Sequence, residues 1–206
     1  MLGAYIKNFS KKIMDVKDAI VIANVFTEEE CRDILQKDWD WHQGTWFSYH
    51  DDVNQREQGV NQTNAVSKAN YMQTFGSESE GHWLQQLFKE RLVKAVGVYN
   101  EKVDDFGMSI DCITPVRINR YQVGDYIDEH IDHIHSIFDG TYKGVPVISF
   151  VGVLNDDYEG GEFIMRGEKV SLKTGDVIMF PSNFMYAHEV KEVTKGTRHS
   201  IVAWGF

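Results

Sequence analysis

The hydrophobic pattern of the first half of the chain predicts one short strand and two amphipathic helices. Residues 19–26 form a β-prone run, and Thr27 follows it three residues before Glu30, which is the spacing of a capping box. A helix is therefore expected over about residues 27–37. A second helix is expected over about residues 77–102, because apolar side chains recur there at helical spacing.

In the second half of the chain the hydrophobic pattern no longer has the helical period of 3.6 residues, and short apolar runs alternate with glycine-containing turns. This pattern is typical of antiparallel strands. The predicted strands are residues 110–121, 128–133, 147–154, 162–165, 169–172, 177–180, 188–193 and 198–206. They predict a mainly β (α+β) protein with a double-stranded β-helix (jelly-roll) core over residues 107–206. Residues 1–106 are expected to buttress that core as helices and loops, within a single domain of residues 1–206.

Composition and charge narrow the classes of function. The formal net charge of -10 over 206 residues makes a nucleic-acid partner improbable, because phosphate binding needs a basic surface. No apolar run reaches the roughly 20 residues of a membrane span. Cys31 and Cys112 cannot build a disulfide framework, and the N-terminus does not read as a signal peptide. We therefore expect a cytoplasmic protein without a membrane partner, and the sequence leaves its oligomeric state open.

Three residues form a candidate metal site. His130 and Asp132 are two positions apart in a predicted strand, so their side chains share a face. His188 starts a late strand, where a jelly roll folds back onto its early strands. Two histidines and one carboxylate make the facial triad of non-haem Fe(II) oxygenases, with positions left for a 2-oxo acid and dioxygen. A zinc site with three protein ligands and a water is the alternative that the residues leave open.

A candidate anion site follows the last of these residues. Arg198 comes ten residues after His188, and Ser200 shares its face if this segment is a strand. A guanidinium beside a hydroxyl is well suited to hold a carboxylate through two parallel hydrogen bonds. A surface ion pair is the alternative for an isolated arginine, and the neighbouring candidate metal site favours the anion.

The motifs of residues 107–206 resemble the Fe(II)/2-oxoglutarate dioxygenase superfamily, specifically its prolyl 4-hydroxylase-like branch and the bacterial and phage hydroxylases of the PKHD type. The likeness is carried by Arg120-Tyr121, Gly124, Tyr126, His130-x-Asp132, Leu154-Asn155, Gly160-Gly161-Glu162-Phe163, Gly175-Asp176, Phe180-Pro181-Ser182, His188-x-Val190, Val193-Thr194, Gly196-x-Arg198 and Trp204. These motifs occur in the order of the family and at plausible spacings.

The resemblance implies Fe(II) bound by His130, Asp132 and His188, and 2-oxoglutarate anchored by Arg198 with a hydrogen bond from Tyr121. The implied reaction consumes O2, converts 2-oxoglutarate into succinate and CO2, and hydroxylates a C–H bond, with ascorbate expected as the reductant. Halogenating relatives carry a small residue in place of the carboxylate ligand, so Asp132 favours hydroxylation. The implied substrate is a proline-containing peptide or protein.

Three other functions are weighed against this one. Asn119-x-Tyr121-x-x-Gly124 also resembles the AlkB-like nucleic-acid demethylases, but Trp204 stands where that branch carries a second arginine, and the net charge opposes it. Oxidation of a free amino acid or small metabolite is the second alternative. A metal-binding jelly roll without turnover is the third.

Residues 39–76 and 134–143 lack a clear hydrophobic period and are candidates for substrate loops. The first of these segments is expected to contain one or two short strands.

Overall fold

The strands of the protein are antiparallel and its helices few. A computed structural model describes residues 15–39, 41–43, 70–73, 82–103, 110–132 and 144–206. Within them lie helices α1 (Glu28–Leu35) and α2 (His82–Val103) and 3-10 turns at Val16–Ala19 and Phe184–Tyr186. The strands are β1 (Val21–Asn24), β2 (His42–Gln43), β3 (Asn70–Gln73), β4 (Arg117–Tyr121), β5 (Ile127–His130), β6 (Ile148–Val153), β7 (Glu159–Gly160), β8 (Phe163–Met165), β9 (Glu168–Val170), β10 (Asp176–Pro181), β11 (His188–Val190), β12 (Val193–Lys195) and β13 (Arg198–Gly205).

Three sheets are built from these strands. The largest has the order β1-β10-β6-β13-β4-β3-β2, the second the order β5-β11-β8-β9, and β12 pairs with β7 alone. The expectation of a mainly β protein with antiparallel sheets is confirmed. Short strands β2 and β3 lie within the segment where one or two were expected, whereas residues 44–69 and 134–143 are outside the described part of the chain.

The large sheet is covered on both faces. Its middle strand β6 is buried along its whole length, and alternate side chains belong to different cores. Phe150 belongs to the core that includes Phe88 of α2, whereas Val151 belongs to the core that includes Phe163 of the second sheet. Because both faces are buried, a one-residue slip would exchange the two cores, so the register of the neighbouring strands is strongly specified.

Helix α1 begins at the predicted capping box. At α1 the Thr27 hydroxyl accepts from the Glu30 amide (3.1 Å) and the Glu30 carboxylate accepts from the Thr27 amide (2.9 Å), which confirms the capping box. Arg91 of α2 donates from Nε to the same carboxylate (3.0 Å). Helix α1 ends at Leu35, slightly earlier than expected. No helix in the described ranges is long and apolar enough to cross a membrane.

The predicted strands differ most from the observed ones at residues 110–121 and 188–193. Of residues 110–121 only Arg117–Tyr121 forms a strand, because Pro115 has no N–H to donate to a ladder. Residues 188–193 split into β11 and β12, since the chain changes partner from β8 to β7. The Lys191 amide donates to the carbonyl of Glu162 at this change (2.9 Å). The short strand β7 was not among the predicted strands.

Candidate metal centre

The structure brings His130, Asp132 and His188 together between the large sheet and the second sheet. Strands β5 and β11 pair with His130 directly opposite His188, and the centroids of the two rings are 4.3 Å apart. Strand β5 ends at His130, so Asp132 lies just beyond it rather than within the predicted strand. Its Oδ1 atom is 3.9 Å from Nε2 of each histidine. The candidate ligand atoms all lie within 4.8 Å of one another.

Backbone contacts orient both imidazole rings. Nδ1 of His130 is 2.8 Å from the carbonyl oxygen of Asp128, and Nδ1 of His188 is 3.1 Å from that of Tyr186. A carbonyl can only accept, so each Nδ1 carries the proton and each Nε2 keeps its lone pair free on the side of Asp132. Burial lowers the pKa of His130 to about 4, helped by His188 and opposed by Asp132. The neutral ring that results is the form that binds a metal.

The carboxylate of Asp132 fits a bound cation. Asp132 is 4% exposed, and its Oδ2 atom has no hydrogen-bond partner in the part of the chain that the structure describes. An ionised carboxylate buried in this way is costly unless a positive charge compensates it. Two imidazole nitrogens and one carboxylate oxygen are the donor set of a non-haem Fe(II) site with open positions.

Arg198 presents unused donors to a ligand from β13. The residue is 1% exposed, and its Nη1 atom donates to the Ser200 hydroxyl (3.1 Å). Its Nε and Nη2 atoms have no hydrogen-bond partner among the described residues. A buried guanidinium with two unpaired donors fits an anionic ligand such as a carboxylate.

Tyr121 lies beside Arg198 on the neighbouring strand. Register places Tyr121 opposite Arg198 and Asn119 opposite Ser200. The Cζ atom of Arg198 is 4.9 Å from the centroid of the Tyr121 ring, and Asn119 donates from Nδ2 to the Tyr121 hydroxyl (3.3 Å). Tyr121 and Asn119 line the same pocket as the three candidate metal ligands. Tyr121, whose ring lies beside Arg198, thus connects the anion position to the cavity of the candidate metal ligands.

Asn155 and Gly161 also determine the position of Arg198. The sequence had not indicated this role for either residue. Asn155 accepts from the His199 amide through Oδ1 (2.7 Å) and donates through Nδ2 to the carbonyl of Thr197 (2.7 Å). Gly161 has φ +63°, and a Cβ atom there would lie 3.0 Å from Cδ of Arg198. In the sequence, Asn155 and Gly161 were indicated only as parts of the motifs that carry the family resemblance.

Arg117 and Trp204 also line the pocket, and the Cζ atom of Arg117 is 5.7 Å from the centroid of a Trp204 ring. Strand alternation could have indicated Arg117 as a residue of this pocket, since Arg117 shares a face of β4 with Asn119 and Tyr121. His133 and His135, which follow the candidate ligands in sequence, lie outside the described residues.

Comparison with known proteins identifies the class to which this site belongs. Residues 116–206 match the 2OG-Fe(II) oxygenase superfamily. A PKHD-type hydroxylase of Idiomarina loihiensis is 36% identical over 96 residues, which cover 45% of this chain and 42% of the relative. One of Prochlorococcus marinus is 41% identical over 95 residues, covering 43% of this chain and 40% of the relative. The match to these curated relatives thus spans less than half of their length.

Solved structures show the same fold at low sequence identity. A prolyl hydroxylase from Trichoplax adhaerens, in complex with a peptide fragment of a hypoxia inducible factor, has a TM-score of 0.62 and 17% identity, covering 92% of this chain and 84% of that one. The viral collagen prolyl hydroxylase of Paramecium Bursaria Chlorella virus-1, in complex with 2OG, has a TM-score of 0.58 and 17% identity, covering 90% and 94%.

Residues 116–206, somewhat less than half of the chain, are thus similar to the 2OG-Fe(II) oxygenase superfamily and to PKHD-type hydroxylases within it, and the fold is that of solved prolyl hydroxylases. Family and site together support Fe(II) and 2-oxoglutarate as the groups bound here.

Proposed function

We propose that the protein is an Fe(II)- and 2-oxoglutarate-dependent dioxygenase that hydroxylates a C–H bond of a prolyl residue in a peptide or protein. Succinate and CO2 are the co-products, and ascorbate is the reductant that keeps the iron active. The observation that carries this proposal is the cluster of His130, Asp132 and His188 on a cavity that Tyr121 also lines, with the buried, incompletely paired Arg198 beside the Tyr121 ring. When bound, Fe(II) and 2-oxoglutarate supply the dioxygen activation and the electrons that the reaction needs.

The three candidate ligands of the metal approach from one side. In this role the neutral Nε2 atoms of His130 and His188 and the Asp132 carboxylate would hold the ion, which would supply further coordination positions for cosubstrate and dioxygen. The carbonyls of Asp128 and Tyr186 keep both rings in the required tautomer. The side chains are therefore arranged before the metal binds, which lowers the cost of binding it.

Arg198, Ser200 and Tyr121 are proposed to bind the carboxylate of 2-oxoglutarate that is remote from the metal. The two unpaired donors of Arg198 match the two oxygens of a carboxylate. Ser200 keeps the guanidinium in place by accepting from Nη1, and the Tyr121 hydroxyl adds a donor. Because Arg198 is buried, this contact is shielded from water and strengthened by the low local dielectric.

Apolar side chains complete the cavity. Val151, Phe163 and Val190 line it together with the candidate ligands. They limit the access of water to the reacting groups, which protects reactive intermediates from side reactions. In the finer description of the fold, the strands of the two larger sheets that lie within residues 107–206 form the jelly roll, and residues 1–106 support it, with β1, β2 and β3 extending the edges of the large sheet.

The prolyl substrate is supported by the comparisons and by charge. The curated relatives carry the name PKHD-type hydroxylase, and the matched structures are prolyl hydroxylases, one of them bound to a peptide. The net charge of -10 favours a peptide or protein over a nucleic acid. These features together make a proline-containing peptide the first substrate class to test.

The test is a substrate panel with two readouts. Purified protein with Fe(II), ascorbate, O2 and 2-oxoglutarate is expected to release succinate, and a proline-containing peptide is expected to gain the mass of one oxygen atom. Free L-proline and methylated oligonucleotides serve as the competing substrates. Absence of Fe(II)- and 2-oxoglutarate-dependent succinate would contradict the dioxygenase assignment, whereas demethylation of the oligonucleotides would contradict only the peptide substrate.

A further inference from the structure

Arg166 has a backbone conformation that arginine rarely adopts. It forms, with Gly167, the two-residue turn that joins β8 to β9, where Met165 pairs with Glu168. The φ angles of Arg166 and Gly167 are +55° and +77°. Positive values at both positions define a type I′ hairpin turn, which favours asparagine, aspartate or glycine at its first position. Among the described residues, Arg166 is the only one other than glycine with a positive φ. The backbone of the turn therefore does not explain why this residue is an arginine.

The side chain of Arg166 contacts the segment that leads into His188. Nη1 of Arg166 donates to the carbonyl of Met185 (2.5 Å), and the backbone amide of Arg166 donates to the carbonyl of Ala187 (2.8 Å). The carbonyl between these two, that of Tyr186, accepts from Nδ1 of His188 (3.1 Å). Arg166 thus holds the carbonyls on both sides of the one that orients a candidate metal ligand.

Other contacts of the 3-10 turn that precedes β11 act on its start and on its tyrosine ring. The Met185 amide donates to Oδ1 of Asn183 (2.9 Å), and the Tyr186 amide donates to the Asn183 carbonyl (3.0 Å). The Tyr186 hydroxyl donates to the carbonyl of Val16 (3.0 Å). These contacts do not involve the carbonyls of Met185 and Tyr186, so the end of the turn nearest β11 is where Arg166 acts.

We propose that Arg166 is a positioning residue for the metal, because it fixes the turn whose Tyr186 carbonyl holds the His188 ring in its Nδ1-protonated form. This inference rests on the proposed function, since it assigns Arg166 a part in building the metal site of that reaction. Residues held in rarely populated backbone conformations cluster at functional sites, where the surrounding contacts maintain them. The unfavourable φ of Arg166 is explained if its side chain is needed at this position.

The variant Arg166→Asn separates this role from two others by the signs of its effects. Asparagine tolerates a positive φ, so the hairpin should be at least as stable as in the wild-type protein. Loss of the bond to Met185 should loosen the turn and weaken metal binding. Removal of a positive charge would by itself favour a cation. Weaker metal binding without a loss of stability is therefore the result of neither charge nor unfolding.

Metal binding and the protonation of the His188 ring test the proposal in the intact chain. Mn(II), which replaces Fe(II), is titrated calorimetrically into the wild-type protein, Arg166→Asn and Arg166→Lys. NMR of the histidine ring nitrogens in the metal-free proteins shows which nitrogen of His188 carries the proton. His130 is the internal reference, because its Nδ1 contacts the carbonyl of Asp128 instead. Thermal melting of the metal-free proteins measures their stability.

Lys169→Gln is the matched control. It removes one positive charge from the same hairpin, and Nζ of Lys169 donates to Glu162 (3.2 Å) rather than to the 3-10 turn. We expect the Kd of Mn(II) to rise about fivefold or more in Arg166→Asn and to stay near the wild-type value in Lys169→Gln. Arg166→Lys should lie between them, because it keeps a cationic donor. In Arg166→Asn the melting temperature should not fall, and His188 should populate both tautomers while His130 keeps its proton on Nδ1.

Several results would overturn the inference. A Kd of Mn(II) in Arg166→Asn that equals or falls below the wild-type value would do so, as would a similar rise in Lys169→Gln or an unchanged tautomer of His188. A lower melting temperature in Arg166→Asn than in Lys169→Gln would assign Arg166 to stability alone, and the inference would fail. Failure of the wild-type protein to bind Mn(II) would overturn the proposed function and, with it, the role of Arg166, whereas normal binding by both proteins would overturn only that role.

Discussion

Asn155 holds the backbone on both sides of Arg198. Its carbonyl oxygen accepts from the amide of His199, and its amide nitrogen donates to the carbonyl of Thr197, both at 2.7 Å. The backbone amide of Leu154 adds a hydrogen bond to the carbonyl of His199 (3.1 Å). The start of β13, which carries Arg198, is thus fixed by the side chain of Asn155.

Asn155→Ala is expected to raise the Kd of 2-oxoglutarate about tenfold while leaving metal affinity nearly unchanged. Each lost hydrogen bond contributes about 1 kcal/mol, so the free energy of unfolding should also fall by about 1–3 kcal/mol. Asn155→Asp keeps the acceptor for His199 and loses the donor to Thr197, so it should show an intermediate effect. Anaerobic titration with 2-oxoglutarate and urea unfolding measure the two quantities. An unchanged Kd in Asn155→Ala would remove Asn155 from any role in positioning Arg198.

Gly161→Ala is expected to weaken 2-oxoglutarate binding because the new methyl group meets Arg198. The residue has φ +63°, and its Cβ would lie 3.0 Å from Cδ of Arg198. Gly167→Ala is a matched control with similar backbone strain, since φ is +77° and nothing lies within 4 Å of its Cβ. Both variants should melt at lower temperature, whereas only Gly161→Ala should raise the Kd. Equal Kd values in the two variants would show that the contact with Arg198 has no functional effect.

Tyr121→Phe separates the two contacts that Tyr121 makes. The ring beneath Arg198 stays, while the hydroxyl that accepts from Asn119 and is proposed to donate to 2-oxoglutarate is lost. Loss of one hydrogen bond predicts a rise of about threefold to tenfold in the Kd of 2-oxoglutarate. The same titration compares Tyr121→Phe with the wild-type protein at equal iron occupancy. A variant that binds 2-oxoglutarate as tightly as wild type would rule out the hydroxyl as a ligand.

His199 is expected to make the metal-free protein less stable in mild acid. Burial, aided by the charge of Arg120, lowers the pKa of its imidazole to about 4. The unfolded chain takes up this proton near the ordinary value of about 6.5. Between these two values the unfolded state binds more protons, so the free energy of unfolding falls as the pH falls, by at most about 1.4 kcal/mol per pH unit from this group.

His199→Phe should remove that contribution. Urea unfolding of wild type and variant, both without metal, at about pH 7 and about pH 5 measures it, and any contribution from His130 is common to both proteins. We expect the wild-type protein to lose more stability than His199→Phe over this interval. Parallel losses in the two proteins would show that His199 titrates normally in the folded state.

The sequence indicated the candidate site better than it indicated what supports it. His130 and Asp132 were found because two ligand side chains stood two residues apart, and Arg198 and Ser200 because strand alternation places them on one face. The contacts of Asn155 span 42 and 44 residues of sequence, so no local pattern announces them. Long-range contacts of this kind depend on tertiary structure.

The predicted bounds of the strands were inaccurate for the same reason, because strand ends depend on pairing with distant parts of the chain. Alternation predicted a single strand over residues 188–193, but the chain there leaves one partner strand for another. The buried positions also shift there, since Val190 and Val193 are buried and the two residues between them are exposed, so strict alternation does not continue across the change of partner. The mainly β class followed from alternation alone, since it needs only the number and spacing of the strands and not their partners.

The most direct test of the central claim is the anaerobic binding of Fe(II) and 2-oxoglutarate, followed through the visible charge-transfer absorption that appears when both are bound. We predict one Fe(II) per chain and a 2-oxoglutarate-dependent absorption band in the wild-type protein. Asp132→Ala should lose the iron, whereas Arg198→Ala should keep the iron and require more than about tenfold more 2-oxoglutarate. A wild-type protein without the band, or equal loss of iron in both variants, would contradict the account.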